Sequence, residues 1–204
     1  MSSSVAPSAG RTLTKEGWRE RFRAYRTSLA PSAYRTRSTL LTHHALAHPA
    51  VAVARTVHVY WPLPEQGEVD TRPLVRALRA LDKTVVLPVV TSFPPNAPTM
   101  EHRRYEGPEA LTPNRWGIQE PTNTPRVPPD ALDVVLLPAL GMDPTGTRIG
   151  QGAGYYDTFL PAVDAPRVAL VYDACVVASL PADPHDVPAT ALVTERGRRT
   201  ASTA

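Results

Sequence analysis

The shortages in this sequence each exclude a class of protein. A single cysteine, Cys175, stands in 204 residues, so no intramolecular disulfide can form and an oxidising compartment offers the fold nothing. A cytoplasmic setting is the expectation. The longest strongly apolar run, around "VVLLPALGM", is far short of the roughly 20 residues that cross a bilayer, so no membrane partner is expected. The opening "MSSSVAPSAGRTLT" is small and polar and lacks the apolar segment of a cleaved secretion signal. Residues 1–14 therefore read as a flexible leader. Lysine is scarce, with Lys15 and Lys83 alone among 22 basic residues, which singles out each of them. Net charge is only +3, and the arginines are spread along the whole chain, which argues against a dedicated nucleic-acid binder.

What remains is an ordinary globular composition, 42% hydrophobic, long enough to bury one real core. The 23 prolines fall mostly at the ends of apolar runs or between them, where a missing N–H does least harm. From Lys15 to about Leu29, Trp18, Phe22, Tyr25 and Leu29 recur at helical spacing, and Lys15 and Arg19 stack one turn apart. A second helix is expected from Pro31 or Ser32 to about Ala47, and a third opened by Asp70 or Thr71, with Pro73 in its first turn and Leu74, Leu78 and Leu81 inward. "TVHVYWP" reads as a strand ending at Pro62; "TVVLPVV", "DVVLLPA" and "RVALVY" read as strands buried on both faces, with "ALVTE" a last one.

Strands separated by helix-sized segments predict a single α/β domain over residues 15–197, three layers (α/β/α) around a mostly parallel sheet. Residues 91–130 read as long connections with a possible hairpin, and "RGRRTASTA" as a mobile end, of which residues 198–204 form a flexible basic tail beyond the domain. In such a fold ligands gather at the carboxyl ends of the strands.

Glycine is also scarce, at 11, yet Gly150, Gly152 and Gly154 alternate in "RIGQGAGYYDTFL" just beyond the strand "DVVLLP". Such a run lets backbone N–H groups turn toward an anion, and a helix starting at "YYDTFL" would put a positive end beneath it. Arg148 adds a full charge with a forked donor. The pattern is neither of the common nucleotide fingerprints, GxxxxGK[ST] or GxGxxG. Alone it also fits a plain tight turn.

"LLPALGMDPTGTRIGQGAGYYDTFL" resembles the signature region of the 5-formyltetrahydrofolate cyclo-ligases, also called methenyltetrahydrofolate synthetases. Lys15 and Arg19 match that family's K-x-x-x-R element, "VYWPLPEQGEVDT" its acidic turn after a strand, "WGIQEP" its G-I-x-E-P, and "LPADPHDVPATALVTERG" its closing element. The resemblance implies ATP-dependent conversion of 5-formyltetrahydrofolate to 5,10-methenyltetrahydrofolate, with small molecules as the partners; a monomer is the expectation beside it. By the same resemblance Lys15, Arg19 and the segment Arg148, Ile149, Gly150, Gln151, Gly152, Ala153, Gly154, Tyr155 and Tyr156 hold ATP, with Lys15, Arg148 and Tyr155 nearest the chemistry. Asp157 and Asp186 map onto magnesium-binding carboxylates, and Leu63, Glu68 and Trp116 onto the folate pocket.

Plainer readings stand beside these: a solvated helix face for Lys15 and Arg19, a helix start for Asp157, a turn for Asp186, a surface loop for Glu68 and a core ring for Trp116. The chain departs from the family at Gln151, at Ala153, at "ALGMD" and at Cys175, which stands where a glutamine is expected and reads as an inert packed thiol. Two other functions share the features: a related ATP-dependent enzyme with a different amide-like acceptor, and a non-catalytic nucleotide- or RNA-associated module.

Overall fold

The computed structural model describes residues 13–93 and 97–201. Helix α1 (Lys15–Thr27) is followed by α2 (Pro31–Leu46) and the short α3 (Pro49–Val53), each of the last two opened by proline, whose missing N–H has no helical partner to lose there. Strand β1 (Thr56–His58), α4 (Arg72–Ala80) and β2 (Thr84–Ser92) form a parallel βαβ unit, and β3 (Thr99–Arg104) turns back antiparallel to β2. A small hairpin, β4 (Leu111–Pro113) with β5 (Gln119–Pro121), precedes β6 (Val134–Pro138). Then come a second hairpin, β7 (Gly141–Met142) with β8 (Arg148–Ile149), the helix α5 (Tyr155–Phe159), and strands β9 (Arg167–Leu170), β10 (Ala191–Thr194) and β11 (Gly197–Thr200).

The main sheet has the order β11-β10-β9-β6-β1-β2-β3. Strands β10, β9, β6, β1 and β2 run parallel, and the two edge strands are antiparallel. Val134, Val135, Leu136 and Leu137 in β6 are all fully buried, as a central strand covered on both faces requires. The crossover from β1 to β2 runs one way across the sheet and that from β6 to β9 the other, so right-handed connections put α4 and α5 on opposite faces. On the α5 face His58 of β1 meets Phe159 and Tyr156, with ring centroids 5.5 and 5.9 Å away. The mostly parallel α/β sheet matches the sequence reading. Among the described residues no helix is long and apolar enough to cross a membrane.

Local differences have physical reasons. Strand β1 stops at His58 rather than Pro62: the Val59 N–H still donates to the Val86 carbonyl at 2.9 Å, but on the β1–β2 register Tyr60 then comes opposite Pro88, which has no N–H to continue the ladder. Leu81 is 58% exposed, since α4 ends at Ala80 and the chain turns out through Asp82 at φ 56°. Residues 198–200 are not tail: they form most of β11, which returns on β10 through a Glu195-Arg196 turn with Arg198 opposite Val193. In the 91–130 region the chain forms the β2–β3 turn-back and the β4–β5 hairpin. Most of the expected leader, residues 1–12, lies outside the described residues, and Thr14 belongs to α1 as its cap.

Candidate active site

The crossovers diverge between β1 and β6, and an open parallel sheet has its crevice at such a point, beyond the carboxyl ends of the strands. A cleft of about 680 Å³ lies there, walled by Tyr60, Trp61 and Leu63 after β1 and by Pro138, Ala139 and Leu140 after β6. Every residue given a site role from the sequence lines it: Lys15, Arg19, Leu63, Glu68, Trp116, the whole run from Arg148 to Asp157, and Asp186. A second hollow of about 480 Å³ lies between β3 and Phe159; Tyr155 alone of those residues reaches it.

Helix α1 brings two cations to one rim. Its start is fixed by Thr14, whose hydroxyl accepts from the Gly17 N–H at 3.3 Å. Lys15 Nζ lies 2.7 Å from Asp183 Oδ2 and 2.5 Å from Asp186 Oδ2. Burial pulls the ammonium's pKa down, but the two carboxylates outweigh it and hold it above the ordinary value. For Asp186 burial pushes up, and the Asp183 N–H together with Lys15 brings the carboxyl below its usual range. One turn along, Arg19 Nε donates to the Gly150 carbonyl at 3.1 Å, and Nη1 donates to Glu16 at 2.8 Å.

The glycine loop closes on Arg19 from the other side. Gly152 has φ 101°, and a Cβ there would stand 3.2 Å from Arg19 Cζ; at Gly150 a Cβ would meet nothing within 4 Å. The loop is therefore tight at Gly152 and open to the cleft at Gly150. Arg148, on β8, donates from Nη2 to Asp157 Oδ1 at 2.6 Å, and its buried Nε has no partner among the described residues. The same Asp157 oxygen accepts from the Val187 N–H at 3.3 Å, which brings it beside the loop carrying Asp183 and Asp186. The helix expected after the loop is only 5 residues long, so its dipole adds little and the side-chain cations dominate the local field.

Asp183, His185 and Asp186 present ligand atoms within 4.8 Å of one another, and Asp157 stands just across Val187 from them. This set of hard carboxylate oxygens beside a basic cradle suits a magnesium ion that takes one or two carboxylates and fills its shell with phosphate oxygens and water. Asp183 was not picked out from the sequence, although it sits inside the quoted "LPADPHDVP".

The opposite wall is acidic and aromatic. Glu68, 8% exposed and so no surface-loop residue, accepts from the Leu63 N–H at 2.9 Å. Burial raises its carboxyl; Arg26, the Leu63 N–H and Gln151 only partly offset that rise. Trp116 is 41% exposed at the hairpin tip, which excludes the core reading, with its ring 4.7 Å from Phe93 and 6.0 Å from Tyr155. The tip is tied down by Asn114: its Oδ1 accepts from the Trp116 N–H at 2.9 Å, and its Nδ2 donates to Glu120 at 2.8 Å. Glu120 also accepts from the Val90 N–H of β2 at 3.0 Å. Sequence reasoning passed over Glu120 inside "WGIQEP", and over Arg26, which it had no reason to separate from its neighbours on α1.

Tyr155 donates its hydroxyl to the Ser92 carbonyl at 2.8 Å, and burial raises its pKa, so it stays a protonated wall residue. The Tyr156 hydroxyl is sealed without a partner among the described residues. Gln151 accepts from Arg23 Nη2 at 3.0 Å and donates to Gln66 at 3.2 Å, bridging α1 to the turn before Glu68. Cys175 is fully buried and its thiol is pushed up to about 12 by that burial, the inert state expected of it.

Known proteins share this arrangement of chain. The family model of the 5-formyltetrahydrofolate cyclo-ligase family matches residues 11–195. The 5-formyltetrahydrofolate cyclo-ligase of Escherichia coli K12 is 32% identical over 177 residues, covering 84% of this chain and 95% of its own. That of Mycolicibacterium smegmatis is 35% identical over 148 residues, covering 70% and 74%. Among solved structures, the NMR structure of Aquifex aeolicus 5,10-methenyltetrahydrofolate synthetase matches with a TM-score of 0.81 at 30% identity, over 92% of this chain and 93% of that one. With the sheet, the cleft and these matches in agreement along almost its whole length, this chain belongs to the 5-formyltetrahydrofolate cyclo-ligase family.

Proposed function

We propose that this protein converts 5-formyltetrahydrofolate to 5,10-methenyltetrahydrofolate, with ATP giving ADP and phosphate. The observation that carries the reading is one cleft with a basic rim of Lys15, Arg19 and Arg148 facing an acidic-aromatic wall of Glu68 and Trp116. Such a site suits an oligophosphate beside a heteroaromatic ring that offers N–H donors.

A formyl group on nitrogen is an amide whose oxygen does not leave unaided. Transfer of the γ-phosphoryl group to that oxygen breaks the bond to ADP and makes a leaving group. The folate N10 then attacks the formyl carbon and loses its proton to water, and the C–O bond breaks as phosphate departs. No protein nucleophile is required. The chain's work is positioning and charge neutralisation. Lys15 and Arg148 hold phosphate oxygens, Arg19 braces the loop through Gly150, and the N–H groups from Ile149 to Tyr156, with Gln151 and Ala153 between the glycines, complete the cradle. Asp157 and Asp186, with Asp183 adjacent, would hold a magnesium ion, which when bound neutralises phosphate charge. Leu63 and Trp116 pack on the folate, and Glu68 accepts from its pyrimidine edge.

The proposal extends to a cytoplasmic location, in keeping with the single buried cysteine, and to a monomer. Incubation with 5-formyltetrahydrofolate, ATP and magnesium should generate the absorbance of the methenyl product, and omission of ATP should abolish it. Saturating substrates without product would overturn the reading.

A further inference from the structure

Arg26 is a charged side chain only 4% exposed, yet it lies on the wall of the cleft. It occupies the last turn of α1, roughly 16 Å along the helix axis from Lys15 at 1.5 Å per residue. Its Nη2 donates to the Ala139 carbonyl just beyond β6. Its Nε is buried without a partner, and no other hydrogen bond from this guanidinium occurs among the described residues. A buried group with five donors and one acceptor is under-satisfied, and buried polar groups ordinarily find partners.

The loop before Glu68 rests directly on this arginine. A Cβ at Gly67 would stand 2.7 Å from the Arg26 carbonyl oxygen and 2.9 Å from the Arg26 Cβ, and Gly67 sits at φ 62°. Glycine there lets the two segments touch, and Arg26 and Glu68 both line the cleft, with no direct ion pair between them among the described residues. Burial raises the Glu68 carboxyl, and the Arg26 charge is the strongest influence drawing it back. What sets Arg26 apart from the phosphate-directed Lys15 is its place at the other end of α1. What the two residues offer the cleft is a forked donor and an acceptor. The pyrimidine edge of a pterin presents the complement in the same order: a ring carbonyl oxygen, then a ring N–H, then an exocyclic amine.

We propose, on the folate reading of this site, that Arg26 is a specificity-determining residue: it donates to the 4-oxo oxygen of the pterin while Glu68 accepts from the neighbouring N3–H and 2-amino group. The cleft thereby selects 4-oxo folates over 4-amino analogues, in which the acceptor is replaced by a donor and the site's own donor is left unpaired.

Equilibrium binding of 5-formyltetrahydrofolate and of its 4-amino-4-deoxy counterpart tests this, at pH 8 and without nucleotide, on wild type and Arg26→Met, with circular dichroism on both. Wild type should prefer the 4-oxo ligand by about 10-fold or more, the scale on which a site built to hydrogen-bond one group rejects its replacement. Arg26→Met should lose a clear part of that preference, the remainder resting on Glu68 and the N3–H, while ATP affinity holds. Equal wild-type affinities, or a folded Arg26→Met that keeps the wild-type ratio, would overturn the proposal. Should Arg26→Met fail to fold, Arg26→Gln is read by the same ratio. Turnover of the formyl folate by wild type, measured alongside, separates the two levels: turnover with equal affinities overturns only the role of Arg26, and no turnover with no folate binding overturns the folate reading with it.

Discussion

Arg148 Nη2 lies 2.6 Å from Asp157 Oδ1, and the two partners are unequally sealed, with 6% of the arginine side chain and 21% of the aspartate side chain exposed. Lys15 and Asp186 form a second such pair across the rim. In each, a cation proposed to meet phosphate faces a carboxylate proposed to meet magnesium, so arrival of a magnesium nucleotide exchanges partners without stranding charge.

The unequal burial orders two substitutions. Asp157→Ala strands a sealed guanidinium and should cost about 3 kcal/mol, the lower end for breaking a buried pair, or roughly 6–12 °C in Tm for a chain of this size. Arg148→Met keeps the apolar stem and leaves a carboxylate that water reaches, so its Tm should fall less. Both should lose most ATP-dependent turnover. Thermal unfolding that ranks them the other way removes the pair from this account.

Lys15→Met should raise the ATP requirement and lower kcat/KM for ATP by about 100-fold, the scale of one lost charge-stabilising donor. Lys15 and Asp186 are both partly solvated, and pairs near the surface contribute about 1 kcal/mol or less. The Tm should therefore move only a few degrees. An equal loss of stability and activity would reassign Lys15 to structure.

Gly152→Val meets two obstacles at once. Its φ of 101° is costly for a β-branched residue, and its Cβ would crowd Arg19 at 3.2 Å. Nucleotide titration should show lost ATP affinity with folate affinity retained. Gly150→Ala, where a Cβ meets nothing within 4 Å among the described residues, should fold normally and lose ATP affinity only through the space the methyl takes. Full ATP affinity in Gly152→Val would show that the loop does not grip phosphate.

Glu68→Gln should make the protein more stable and less active. The Glu68 carboxyl is raised above its ordinary 4.5 by burial, so the native state holds the proton more tightly than the unfolded chain. Its favourable contribution is complete below 4.5 and is lost as pH rises through the native value. Removing the carboxylate should raise Tm at pH 7.5, leave it unchanged near pH 4, and raise the folate KM without altering that for ATP. In the wild type the folate KM should climb as pH falls toward the same window. A lowered Tm at pH 7.5 would contradict the sign.

The sheet and the site were legible in the sequence to different degrees. "DVVLLPA" and "RVALVY" announce buried parallel strands, because only a doubly covered strand tolerates unbroken apolar runs. Strand ends were less legible: β1 stops just before a proline of β2, distant in sequence, comes opposite it. Strand β11 was hidden because its arginines pattern like a tail, and only the Glu195-Arg196 turn pairs them with β10. Lys15, Arg148 and Glu68 came from motifs whose spacing survives in linear order. Arg26, Glu120 and Asp183 did not, since their burial or grouping arises from contacts among the loop before Glu68, the β4–β5 hairpin and the loop after β9.

The most direct measurement is a spectrophotometric time course of 5-formyltetrahydrofolate with the purified protein, with and without MgATP, alongside Arg148→Met. Methenyl product that accumulates only with MgATP, one ADP per ring closed, and falls steeply in the variant is the predicted result. Hydrolysis of ATP that is indifferent to the folate, or product formation that does not need the nucleotide, would contradict the assignment of this cleft.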